Sequence, residues 1–128
     1  MHIVAALFID DIEMRQAPGP STRIDLLGVQ FSAAAPSPPP FTWAAHLCVL
    51  VYCPPDHRGT AALETTFWRN GEQVARNAAP LVVEPGKFTR QLVRPEIEID
   101  AYGMIEAHCS IDLGPPTIVP YTLLPPVA

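Results

Sequence analysis

The sequence predicts an all-β fold, a two-sheet antiparallel β-sandwich of about eight short strands with little or no helix. Three observations carry this. Sixteen prolines are spread along 128 residues. Proline breaks helices and is kept out of central strand positions, so regular structure is confined to short pieces. Between the prolines, apolar and polar residues alternate with period two, the pattern of strands with one buried face. Asn70-Gly71 lies between two such runs. It is the strongest short hairpin signal, because both turn residues adopt positive φ. The length fits one domain, residues 1–128, able to bury about two-thirds of the unfolded chain's surface.

The elements follow in order. Residues 3–9 (IVAALFI) are apolar on both faces, as in a strand covered on both sides or lying at an interface. Residues 10–21 are acidic, then rich in Pro and Gly, and read as a loop. Residues 23–26 alternate. The apolar phase then shifts across Leu27-Gly28 to Val29 and Phe31, which reads as a β-bulge. Residues 33–40 form a second loop with an extended Pro38-Pro39-Pro40 run. Residues 43–52 make the longest strand. Its Trp43, Ala45, Leu47, Val49 and Val51 face the core; Ala44, His46, Cys48, Leu50 and Tyr52 face away.

Residues 63–69 and 72–75 flank the Asn-Gly turn. A tight hairpin sets Arg69 against Glu72, Trp68 against Gln73 and Phe67 against Val74. Phe67 and Val74 then share the core face with Leu63 and Thr65, and Trp68 falls on the opposite face. Glu84-Pro85-Gly86-Lys87 fits a type II turn. Further strands are read at residues 88–93, 97–99, 104–113 and 118–124. In residues 104–113, Ile105, Ala107, Cys109, Ile111 and Leu113 share one face and Glu106, His108, Ser110 and Asp112 the other. Pro120 places the last strand at an edge. Cys48, Trp68 and Cys109 occur in immunoglobulin order, but their spacing is poor and Ala107 stands where a tyrosine corner would be. The sandwich is therefore immunoglobulin-like in the loose sense, without the disulfide.

Composition narrows the function classes. Charged residues make up 16% of the chain and the net charge is −5. Low charge leaves apolar surface to be covered by the fold or by a partner. The seven arginines and single lysine are scattered, so no basic stripe for nucleic acid or for an acidic membrane exists. No apolar run is long enough to span a bilayer. The apolar N-terminal run lacks a positive flank and meets Asp10-Asp11, unlike a secretion signal. Three cysteines, an odd number, read as reduced thiols in a cytoplasmic protein. The Arg-over-Lys bias with abundant Ala and Pro points to a GC-rich bacterial genome.

The N-terminal strand, the run Ile24-Asp25-Leu26-Leu27-Gly28-Val29, the Asn70-Gly71 hairpin and Tyr102-Gly103 before a late strand resemble a family of small uncharacterised bacterial β-sandwich proteins. That resemblance covers most of the chain. It implies a fold and carries no activity.

Candidate chemistry is sparse. Phosphate-binding glycine loops, nucleophile elbows and paired zinc knuckles are absent. Ser110, His108 and Asp112 share a strand face, but alternate residues stand about 6.8 Å apart, too far for a triad's direct hydrogen bonds. Cys48 and Cys53 supply only two ligands where structural zinc needs four. Asp10, Asp11 and Glu13 offer fewer oxygens than calcium takes. The best metal constellation crosses two strands: His46 and Cys48 on one, Glu106 and His108 on another. If those strands were neighbours, the four side chains could hold zinc or a similar ion; solvated histidines are the plainer outcome, and no cofactor is expected.

The expected function is a non-enzymatic interaction or structural module. Leu50, Tyr52 and Trp68 on non-core faces mark its interface with a second copy or a protein partner. The alternative is a metal- or small-ligand-binding sandwich.

Overall fold

The computed structural model describes residues 1–19, 21 and 23–127. They are all-β, with no helix among them. Pro20, within the expected first loop, lies outside the described residues. Twelve strands occur among the described residues. They are β1 (His2–Ile9), β2 (Asp11–Arg15), β3 (Arg23–Leu27), β4 (Ser32–Ala34), β5 (Phe41–Trp43), β6 (His46–Tyr52), β7 (Thr60–Arg69), β8 (Glu72–Val82), β9 (Phe88–Val93), β10 (Ile97–Ile99), β11 (Gly103–Ile111) and β12 (Thr117–Leu124). They hydrogen-bond into four sheets, ordered β1-β6-β9, β10-β5, β4-β12-β11-β7-β8 and β2-β3, none closed into a barrel.

Twelve strands in four sheets replace the expected two sheets of about eight strands. One cause is visible in the ladder itself. The expected strand 43–52 breaks at Ala44-Ala45 into β5 and β6. Opposite it, the chain breaks across Arg94-Pro95-Glu96 between β9 and β10. β6 pairs with β9 and β5 with β10, so one interrupted ladder counts as two sheets. Proline at 95 has no N–H to continue the pairing. All pairings are antiparallel except β4 with β12, which is parallel.

One core takes side chains from three of the sheets. Leu47, Val49 and Val51 of β6, Leu63 and Phe67 of β7, and Ile105, Ala107 and Cys109 of β11 are buried in it together. These are the alternate positions that the sequence assigns to the core. At its centre, Trp43 has its ring centroid 5.5 Å from Phe8, 6.0 Å from Phe67 and 5.3 Å from Tyr121. The tilted and edge-on arrangements suit aromatic quadrupoles. These four rings come from β1, β5, β7 and β12 and so tie three sheets together. The Tyr121 hydroxyl donates to Gln30 Oε1 at 2.8 Å, and Gln30 Nε2 donates to Asp10 Oδ1. Burial raises the Tyr121 phenol, with the Trp43 indole opposing it. That indole N–H meets no acceptor in hydrogen-bond geometry.

Several local expectations change. The segment expected as a loop contains β2, which pairs with β3 from Asp11↔Leu27 to Arg15↔Arg23. Gly28 is not a bulge; β3 ends before it, its φ is +63°, and a Cβ there would collide with Asp10. The bulge lies at Val74 instead, because Phe67 opposes Ala75 while Trp68 opposes Gln73 and Arg69 opposes Glu72. Val74 is accordingly exposed and Ala75 packs on the core. Leu113 is exposed beyond β11, in a turn where it and Asp112 have positive φ. β12 is flanked by β11 and β4, but β4 reaches only Thr122–Leu124, so Pro120 sits where that side of the strand is open. The turns behave as read. Asn70 and Gly71 have φ +51° and +80°, and Lys87 N donates to Glu84 O at 3.0 Å.

A candidate cleft on the outer face of the three-stranded sheet

Alternation that sends Leu47, Val49 and Val51 inward sends His46, Cys48, Leu50 and Tyr52 of β6 to the outer face. In register beside them stand Leu92, Arg90 and Phe88 of β9, opposite Cys48, Leu50 and Tyr52 respectively. On the other side, Leu7 and Ala5 of β1 face Cys48 and Leu50. This outer face is apolar, unlike an ordinary solvated sheet face. Cys48 is 1% exposed although it belongs to no part of the central core. Something therefore covers it from outside.

We attribute the cover to the β2–β3 hairpin, which lies over this face beside Leu50. Its strands put Ile12, Met14, Ile24 and Leu26 on one face and Asp11, Glu13, Arg15, Arg23 and Asp25 on the other. Arg15 pairs with Asp25 at 3.0 Å on the charged face. The apolar face turns down towards the sheet: Met14 and Ile24 share a cleft with Val4, Leu50, Phe88, Thr89 and Arg90. The cleft has a volume of 280 Å³. Arg90 is the one charged residue in its lining. At the Phe88 end, Tyr52 lies 4.7 Å from the Phe88 ring and 5.4 Å from His2, forming an aromatic wall.

Burial raises the Cys48 thiol above its ordinary range, and the nearby Arg90 charge offsets part of this. Cys109 is pushed up to about 11 by burial in the core, partly opposed by a hydrogen bond from Thr65. All three cysteines are free and buried. Buried structural thiols of this kind are inert.

The residues singled out in the sequence do not converge. His46 and Cys48 stand on β6, whereas Glu106 and His108 stand on β11 of the five-stranded sheet. Both strands face the common core, so their outer faces point away from one another. The strand adjacency that the four-ligand metal cluster required does not occur. No group of three or more His, Cys, Asp or Glu side chains arranged to hold a metal ion exists among the described residues. Glu106 and His108 do approach each other, at 3.4 Å, and His108 stacks on Trp68 with ring centroids 5.4 Å apart. The Trp68 indole donates to Thr66 Oγ1 at 2.8 Å. The expected interface residues split in the same way: Leu50 and Tyr52 share the outer face of the three-stranded sheet, and Trp68 lies on the opposite side of the molecule.

Val4, Met14, Ile24, Phe88 and Arg90 escaped sequence reasoning. A signal for the hairpin half was present in Asp11-Ile12-Glu13-Met14-Arg15, which alternates with period two. No family model matches the chain, and no curated protein or solved structure matches it.

Proposed function

We propose that the protein is a non-enzymatic interaction module whose contact surface is the outer face of the three-stranded sheet around the cleft. One observation carries the reading. Three large apolar side chains line the cleft with about half of their surface in water, Val4 at 52%, Met14 at 58% and Phe88 at 60%, and Leu92 follows on the same face of β9 at 43%. Contiguous exposed apolar surface of this kind marks an interaction site. The partner is a second copy or another protein, met in the bacterial cytoplasm that the composition favours. Fold and lineage belong to the same reading. The β5–β10 pair continues the β6–β9 ladder, which supports a two-layer, loosely immunoglobulin-like sandwich; the bacterial lineage rests on composition and on the family resemblance alone. The three buried thiols add no reactive group to this face.

Co-purification from the native host tests it. Wild-type bait should recover a stoichiometric protein partner or its own untagged copy. Phe88→Glu bait should lose it, because a charge placed in a desolvated interface is costly. Equal recovery by both baits would remove this face from the account.

A second reading, a small-ligand site, is favoured by one specific feature. The cleft is concave and apolar, with a single guanidinium at its rim.

A further inference from the structure

We propose that the cleft between the β2–β3 hairpin and β9 binds a small aliphatic monocarboxylate, its chain on Val4, Leu50 and Ile24 and its carboxylate on Arg90. The inference rests on the small-ligand reading of this cleft and adds the chemical class of the ligand.

The walls set the tail. Val4 and Leu50 come from the sheet, Met14 and Ile24 from the hairpin, and Phe88 closes one side. Ligand sites combine such an apolar lining with a few placed polar groups. At 280 Å³ the cleft falls just under the range of about 300–1,000 Å³ for drug-sized ligands. An unbranched chain is the right shape for a slot between a hairpin and a sheet.

Arg90 sets the head. Directly opposite Leu50 in the ladder, it has its stem beside the cleft floor. The ion pairs among the described residues join Arg15 to Asp25, Arg76 to Glu64 and His108 to Glu106. None involves Arg90, although acidic residues outnumber basic ones thirteen to eight. The hairpin that lines the cleft turns its acidic residues, Asp11, Glu13 and Asp25, to its far face. The cleft therefore holds one cation, no anion and apolar walls. A carboxylate matches the planar fork of a guanidinium.

Titration of the ¹⁵N-labelled full chain with sodium hexanoate, sodium octanoate and 1-octanol, followed by amide chemical shifts, is the test. Octanoate should give saturable shifts at Val4, Leu50, Thr89 and Arg90. Its affinity should exceed that of hexanoate by about fourfold per methylene, the factor equivalent to ~0.8 kcal/mol per buried CH₂. Arg90→Gln should weaken octanoate about fivefold or more while leaving 1-octanol unchanged. Because Arg90 is exposed, the variant keeps its fold, which the same spectra verify. Absence of saturable shifts at millimolar octanoate overturns the proposal. So does equal octanoate binding by wild type and Arg90→Gln, or affinity that does not depend on chain length. Light scattering on the same samples separates the two readings. A monomer that binds octanoate retains this proposal and loses the homodimer; a dimer blind to octanoate does the reverse.

Discussion

Cys48 and Cys109 leave water on opposite sides of the core. Cys109 lies on β11 among core side chains, and Cys48 lies on the outer face of β6 under the hairpin. Burial keeps both thiols protonated near pH 8, and only the thiolate reacts quickly. The native protein should therefore resist an aromatic disulfide reagent at that pH, and the denatured, unreduced protein should release three equivalents. One equivalent would mean a bridge that the structure does not contain. The Tyr121 hydroxyl offers a second test at this scale. It links β12 to Gln30 and through it to Asp10, across two sheets. Tyr121→Phe should cost about 1 kcal/mol in urea unfolding, the usual worth of one such bond. A loss of only a tenth or two would show that the hydroxyl contributes no net bond.

Strands with one face in the core were legible, and those serving another layer were not. β6, β7 and β11 alternate cleanly because each has one face in the core and another outside it. β2 alternates too, but it is short, its apolar pair Ile12 and Met14 is flanked by acids, and a Pro/Gly segment follows. Its apolar face covers a sheet instead of entering the core, so no long hydrophobic run announces it. The metal cluster failed for a related reason. Parity places His46, Cys48, Glu106 and His108 on outer faces, but parity does not say which sheet a strand joins. The cleft was illegible because its residues come from five strands, or their ends, far apart in sequence. Two predictions belong here. Gly71 has positive φ with open space around its missing Cβ, so Gly71→Ala should cost only about 1 kcal/mol. At Gly59 a Cβ would lie 2.6 Å from the Val83 carbonyl, so Gly59→Ala should cost more, by thermal unfolding of the pair. Separately, Ile12→Asp with Leu26→Asp should peel the hairpin away and make Cys48 reactive while the core stays folded. Continued protection of Cys48 would mean that another segment covers it.

The whole molecule has one core and two outer faces. That of the five-stranded sheet carries the Arg76–Glu64 ion pair at 2.8 Å and the Trp68–His108 stack, with Met104, Ile118 and Val82 exposed along it. That of the three-stranded sheet is apolar and only partly roofed. A two-stranded hairpin is marginal on its own, so β2–β3 depends on the apolar face it covers. What it leaves bare, from Val4 and Met14 to Phe88 and Leu92, is the surface offered for recognition. A stable interface there would bury at least about 1,000 Å² in total. The most direct measurement is light scattering of the wild type and three variants at micromolar concentration. The wild type should be a dimer that Phe88→Glu and Tyr52→Glu dissociate and that Trp68→Glu leaves intact, since Trp68 is on the other face. A dimer broken by Trp68→Glu and untouched by Phe88→Glu would contradict it, as would a monomeric wild type that also yields no Phe88-dependent partner from the native host.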